Sequence, residues 1–256
     1  GSVFASPSVD QIASAIRNGN NGRGVLCVLG NYGGDVMNFE MACEIVKSEG
    51  IETKMIIVSD DIASASNEDK LKRRGIAGLI FAFKIAGACS ENEANLDEVY
   101  NLTLKANDNL RTIGIAVSSC ILPEVGKPTF ELKNDEIEIG MGIHGEPGIK
   151  REKLRKADLL VDDLCKLIFE DFELSNSDKV SIMINSLGAT PLEELYIVSK
   201  RVNEIFKKKE LEIFKSYVGR YATSLEMAGM SISVLKLDDD IKKALIDHSE
   251  CPFWIN

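Results

Sequence analysis

Histidine is nearly absent from this 256-residue chain, which has only His144 and His248. With so few imidazoles, and with no CxxC pair among Cys27, Cys43, Cys89, Cys120, Cys165 and Cys251, no zinc spacing can be assembled. Neither a metal site nor a bound cofactor is expected. Several of the cysteines sit inside apolar runs, which reads as buried thiols kept reduced. Positive charge is also short: the net charge is −10 and the isoelectric point is near 4.9. A protein that tracks nucleic-acid phosphates usually has the opposite balance, so direct DNA or RNA binding is not expected. The one dense basic cluster, Lys70-Leu71-Lys72-Arg73-Arg74, reads as a solvated helix start. No apolar stretch of about 18 residues and no signal peptide occur, so the expectation is a soluble cytoplasmic protein that does not touch a membrane. Internal repeats and low-complexity tracts are missing as well.

What remains is an ordinary globular composition, 45% hydrophobic, long enough for one large domain or two modest ones. Short β-branched runs alternate with helical patterns. Strands are expected over 24–29 and 54–58, and helices over 38–48, 75–89 and 95–107. A second series brings strands near 114–117 and 137–143 and a long, mostly helical stretch over 150–172. It continues with a strand over 180–184, a helix over 192–207, strands near 213–218 and 232–237, and a last helix near 239–246. The expected fold is α/β, with two α/β domains, 1–110 and 111–256, whose largely parallel or mixed sheets are covered by helices. Right-handed crossovers would put the loops that follow the strands on one edge. Residues 1–8 open the chain without a helix or strand of their own.

His144 stands in Gly142-Ile143-His144-Gly145-Glu146-Pro147-Gly148, where glycines permit tight turns and leave the ring uncrowded. A neutral imidazole is a nucleophile and a hydrogen-bond acceptor; the plainer alternative is a histidine in a polar turn. Asp35, in Gly30-Asn31-Tyr32-Gly33-Gly34-Asp35, reads either as a functional carboxylate or as the N-cap of the helix beginning near Asn38. Gly33 and Gly34 can simply serve the turn, and Tyr32 can simply pack.

These two segments occur in order with Phe4-Ala5-Ser6-Pro7, Gly126-Lys127-Pro128-Thr129-Phe130, Asn185-Ser186-Leu187-Gly188-Ala189-Thr190-Pro191 and Ser224-Leu225-Glu226-Met227-Ala228-Gly229. Together they resemble the dihydroxyacetone kinase family, specifically its substrate-binding subunit (DhaK), over essentially the whole chain. The resemblance implies a two-domain homodimer in which His144 holds dihydroxyacetone as a covalent hemiaminal. It also implies that Asp35 lies at a triose hydroxyl and helps to activate or orient it, and that Gly30 borders the substrate.

There are departures. Kinase members carry lysine where this chain has Gly30 and threonine where it has Gly33, and the segment 60–75 differs from the kinase pattern. The glycine-rich N-terminal segment of the family, with its second catalytic histidine, is not in this chain. The fold is therefore expected without that segment and with an unpaired sheet edge, and His248, in an acidic C-terminal helix, is no substitute for the missing histidine. Two roles fit. One is a receptor without kinase activity, like the coactivator branch of the family (DhaQ), which binds dihydroxyacetone and joins a TetR-type regulator (DhaS). The departures at Gly30, Gly33 and 67–72 favour this reading. The other is the kinase subunit itself. No Walker loop occurs in the chain, so its phosphoryl donor would come from a nucleotide-bearing DhaL-type partner.

Overall fold

The structure is a computed structural model that describes residues 4–123, 125–251 and 254–255. Helix α1 (Val9–Gly19) opens it, capped by Ser8, whose hydroxyl accepts from the Gln11 amide while the Gln11 side chain accepts from the Ser8 amide. This capping box begins a helix that buries Ile12, Ala13 and Ile16, an element the strand-first reading did not anticipate. Strand β1 (Val25–Gly30), helix α2 (Gly33–Ser48) and strand β2 (Thr53–Val58) follow, and β1 and β2 pair in parallel. Helices α3 (Leu79–Glu91) and α4 (Leu96–Asp108) come next.

The second sheet has six strands: β3 (Leu110–Ala116), β4 (Glu136–Ile139), β5 (Lys150–Lys153), β6 (Lys179–Ser186), β7 (Glu212–Gly219) and β8 (Gly229–Leu237). Their order is β5-β4-β3-β8-β6-β7, with β6 and β7 parallel and the other pairs antiparallel. Helices α5 (Ala157–Asp171), α6 (Leu192–Lys208) and α7 (Asp239–Ile246) complete it, and a short hairpin of β9 (Glu250–Cys251) and β10 (Trp254–Ile255) follows. The mixed α/β architecture agrees with the expected fold class, and the first sheet, two-stranded among the described residues, leaves an edge of β1 without a strand partner there.

Strand β3 joins the two sheets. One edge pairs with β8 along its full length. The other edge is shared: Thr112 bridges Asp61, just beyond β2, while Ile115 and Ala116 pair with β4. The Thr112 amide donates to the Asp60 carbonyl at 2.8 Å and the Ile62 amide to the Thr112 carbonyl at 3.1 Å. The end of β2 and the end of β4 are thereby brought side by side.

Several sequence expectations need correction. The stretch 150–172 is not one helix: Lys150–Lys153 forms β5 against β4 before α5 begins at Ala157, because each exposed β5 residue faces a partner in a ladder that local periodicity cannot reveal. The strand near 137–143 stops at Ile139, since Gly140 turns at φ +73°. Helix α2 starts five residues earlier than Asn38, at Gly33, and Tyr32 is its N-cap, so Asp35 lies in the first turn and does not cap it. His248 follows α7 and is not part of it. Of the six cysteines, Cys27, Cys120 and Cys165 are buried, Cys43 and Cys89 are half-buried and Cys251 is exposed, all as free thiols.

The basic cluster is not a solvated surface. Lys70 is half-buried and Lys72 is exposed, but Arg73 is only 1% exposed and pairs with Asp171 of α5, which also accepts from Arg111 at 2.7 Å. Arg74 is likewise turned inward, onto Asp61. Buried guanidinium groups survive only with such partners.

One hydrophobic cluster crosses the expected boundary: Ile56, Val58, Phe81, Ile85 and Leu110 pack with Met183, Leu235, Leu237, Ile241 and Leu245. We propose that the division near residue 110 is one of chain order and that the two halves unfold together. Trp254, the sole tryptophan, belongs to the same cluster and stacks on Tyr217 at 4.4 Å, which gives a fluorescent reporter of that core. Phe81→Ala should lower stability by about 3–5 kcal/mol and move the urea midpoint seen by Trp254 fluorescence and by circular dichroism equally. Separate midpoints for the two signals would refute a shared core.

Candidate functional site

The segments singled out in the sequence converge beneath one loop. A small cluster of Ala116, Cys120, Met141, Leu187 and Met227, with Phe4, Phe130, Ile143 and Leu225 packed against it, takes at least one residue from each of five segments. They are the opening segment, 126–130, 142–148, 185–191 and 224–229. Asn185 accepts from the Tyr221 and Ala222 amides at 2.8 and 2.9 Å and donates to the Ala222 carbonyl at 2.7 Å. Ser186 and Thr190 cap backbone amides of Gly188 and Gly229. Their polar side chains are thus occupied in building the floor of the loop.

The loop itself runs from Gly140 to Gly148 and is closed at its base by the Ile149 amide, which donates to the Ile139 carbonyl at 2.9 Å. Inside it, the Gly142 amide donates to the Glu146 carbonyl and the Gly145 amide to the Gly142 carbonyl, both at 3.1 Å. At the exit the Gly148 amide donates to Glu138, a buried carboxylate also paired with Arg151. His144 is at the tip of this scaffold, its side chain 29% exposed.

Glu146 grips His144 twice. One carboxylate oxygen accepts from the His144 amide at 3.0 Å, and the other lies 3.2 Å from Nδ1. Burial pushes the Glu146 carboxyl up, but the bonds to His144 outweigh it and hold it below the usual glutamate range. An ionised carboxylate can only accept, so the nitrogen facing Glu146 is the protonated one, and in the neutral tautomer this sets, the lone pair lies on Nε2. Two aromatic rings meet the imidazole edge-on: Tyr32 at 4.5 Å and Phe4 at 4.8 Å between centroids. The Tyr32 hydroxyl donates to the Gly75 carbonyl at 3.0 Å. Burial foremost, and then the Glu146 charge, push this phenol well above its ordinary range, so it stays neutral.

Tyr32 links His144 to the other predicted site residues. It caps α2, and Asp35 lies in the following turn, half-buried and without an ion pair or hydrogen-bond partner among the described residues. A carboxylate there is favoured by the helix N-terminus. Ser6 and Pro7 dock on the same turn, Pro7 through a 2.8 Å bond from Asn38. Gly30 ends β1 directly behind Tyr32: a Cβ at Gly30 would lie 3.1 Å from the Tyr32 ring and 3.3 Å from the Gly75 carbonyl. A side chain at Gly30 would therefore press on the ring that walls His144, which would have to give by a few tenths of an ångström. His248 lies in neither cluster, being exposed after α7.

Three members of this constellation escaped the sequence reading: Glu146 as partner of His144, and the Asp61–Arg74 pair. Glu146 stands in the same glycine-rich stretch, two residues from His144, a visible signal. Asp61 and Arg74 were also visible in the 60–75 segment, but only folding shows that they face the loop.

A profile of the Dak1 domain matches residues 1–253. The chain belongs to the Dak1-domain family. The dihydroxyacetone-binding subunit DhaK of a PTS-dependent dihydroxyacetone kinase from Listeria innocua serovar 6a is 45% identical, over 94% of this chain and 73% of that protein. Among solved structures, the dihydroxyacetone kinase of C. freundii aligns over all of this chain and 46% of that one, with a TM-score of 0.91 and 32% identity. The operon co-activator DhaQ aligns over 95% of this chain and 76% of that one, with a TM-score of 0.89 and 29% identity. This Dak1 chain has no helix among its described residues long and apolar enough to cross a membrane, and no cluster of three or more histidine, cysteine or acidic residues there that could hold a metal.

Beside the loop, Asp60 and Asp61 are both fully buried. Asp60 accepts from the Ile76 and Gly78 amides at 2.8 Å each. Burial pushes the Asp61 carboxyl up to about 7, with Arg74 pulling it back. A carboxyl raised on folding contributes stability that is full below its unfolded pKa and is lost as pH rises through the folded value. Arg74→Met removes the opposing charge and raises Asp61 further, so the stability gap between parent and variant should widen as pH rises above about 7. Denaturation midpoints taken on either side of that pH test this; a pH-independent gap would contradict it.

Proposed function

We propose that this chain captures dihydroxyacetone as a covalent hemiaminal on His144, and does so as the substrate-binding subunit of a dihydroxyacetone kinase. The observation that carries the first part is the Glu146 clamp: with Nδ1 tied to a carboxylate, Nε2 is a poised nucleophile at the tip of a braced loop. Nε2 bonds to the ketone carbon and the π pair moves onto oxygen. In net terms the ring N–H proton ends on that oxygen, with Glu146 balancing the charge that develops on the imidazole in between. The bond explains selectivity by chemistry. A triose has too little apolar area for tight binding by burial alone, and glycerol has no electrophilic carbon to attack.

Identity of 45% with a kinase DhaK subunit supports the kinase role. Asp35, unpaired among the described residues at the helix terminus beside Tyr32, suits the task of orienting a triose hydroxyl or taking its proton as it attacks phosphorus. The phosphoryl donor is then a nucleotide held by a separate DhaL-type chain. A second reading, a coactivator that reports dihydroxyacetone to a TetR-type regulator, is favoured by Gly30: the lysine that the resemblance places here in the kinases is absent, and Gly30 backs onto the Tyr32 ring. The likeness to DhaQ supports it as well.

Intact-mass measurement and NMR of ketone-labelled ¹³C-dihydroxyacetone should find the adduct with the parent and none with His144→Ala. Supplying a DhaL-type subunit, nucleotide and phosphodonor should yield dihydroxyacetone phosphate. Asp35→Asn should keep the adduct while slowing turnover about 10²–10⁴-fold. Adduct without turnover in the parent would favour the coactivator; equal binding by His144→Ala would remove His144 from the site.

A further inference from the structure

The Arg74 guanidinium lies where the two sheets meet. It pairs with Asp61, at 2.8 Å through Nε and 2.7 Å through Nη2, and donates from Nη2 to the Gly140 carbonyl at 2.9 Å. Its own backbone is fastened at both ends, the carbonyl accepting from the Asp61 amide at 3.1 Å and the amide donating to Ser64 Oγ at 2.9 Å. Gly140 is the first residue of the His144 loop and turns at φ +73°, while its amide donates to the Gly114 carbonyl at 2.7 Å. A Cβ on Gly140 would collide with Ala63, so the loop start is pressed directly on the segment after β2. On its far side, Arg74 reaches the space left by Gly142. A Cβ there would lie 2.7 Å from Nη1 and would collide with the Glu146 carboxylate.

We propose that Arg74 is the positioning residue of the His144 loop, holding Gly140 to Asp61 and standing beside Glu146 so that the imidazole meets the carbonyl compound in one fixed orientation. This rests on the hemiaminal reading above. Arg74 does not touch the reacting atoms. It acts through Gly140, which sets where the loop leaves β4, and through its charge next to the carboxylate that orients Nδ1. Arginine suits the task because its separate nitrogens can hold a carboxylate and a carbonyl at once, in a rigid plane. A loop loosened at its first residue lets His144 wander by a fraction of its approach distance, and misplacement of about 1 Å costs on the order of 100-fold.

The test compares the parent, Arg74→Met, Arg74→Lys and His144→Ala with ketone-labelled ¹³C-dihydroxyacetone as probe. Adduct equilibrium and formation rate are read by NMR. Long-range ¹H–¹⁵N spectra read the imidazole signals of the two histidines, with His144→Ala assigning them. Arg74→Met should weaken the adduct about 10- to 100-fold and change the His144 signals while the His248 signals stay in place. Arg74→Lys, which keeps the charge but has one nitrogen to share, should fall between parent and Arg74→Met, and it decides the matter if Arg74→Met does not fold. Adduct formation within about twofold of the parent (on the scale of the penalty expected above), or unchanged His144 signals, in the folded variants overturns the role of Arg74 alone. Absence of adduct in the parent overturns the hemiaminal reading instead.

Discussion

One strand edge with two partners organises this protein. Strand β3 gives Thr112 to the end of β2 and Ile115–Ala116 to β4. Both incoming segments must leave the edge within a few residues of each other, and both leave as loops. The segment after β2 carries Asp60, Asp61 and, further on, Arg74; the segment after β4 carries His144. Because backbone groups at a buried junction have to be satisfied, the two loops bond to each other: Arg74 to Gly140, with Asp61 as its counter-ion. The position of His144 depends on that junction.

The second consequence concerns electrostatics. Asp61 is buried and Arg74 half-buried at the junction, so charges there are costly unless paired. Asp61 is drawn up towards neutrality by burial while Glu146, bonded to His144, stays below its ordinary range. Arg74 pairs with Asp61 and reaches the space at Gly142 that Glu146 also borders. Arg73, one residue earlier, points into a separate buried network with Asp171 and Arg111. Adjacent arginines thus fasten the 60–75 segment to both sides of the fold, one to the His144 loop and one to α5.

The motifs near His144 divide into those whose polar groups stay available and those that build a platform. Asn185, Ser186, Thr190 and Ser224 spend their hydrogen bonds on neighbouring backbone, on Ser231 or on Cys120. Leu187, Met227 and Phe130 form the apolar floor with Met141 and Ile143. The chemically available groups are fewer: the imidazole of His144 under the Tyr32 and Phe4 rings, and the Asp35 carboxylate on the next helix turn.

Much of this was legible in the chain itself. Strands such as Val25–Gly30 and helices such as Asp239–Ile246 follow from local apolar spacing and capping, since those signals need no distant partner. His144 was conspicuous because glycine surrounds it and histidine is otherwise so rare. Lys150–Lys153 misled, because a charged edge strand has no pattern of its own until β4 supplies its ladder. Arg73 and Arg74 misled for the same reason: beside two lysines they look solvated, and only Asp171 and Asp61, 98 and 13 residues away, turn them inward. Local sequence determined which residues could react and where most elements lie, because propensity and periodicity act over a few residues. Tertiary structure alone decided which arginine bonds to the start of the His144 loop and which strand edge unites the two sheets, because those are bonds between groups that only folding brings within reach.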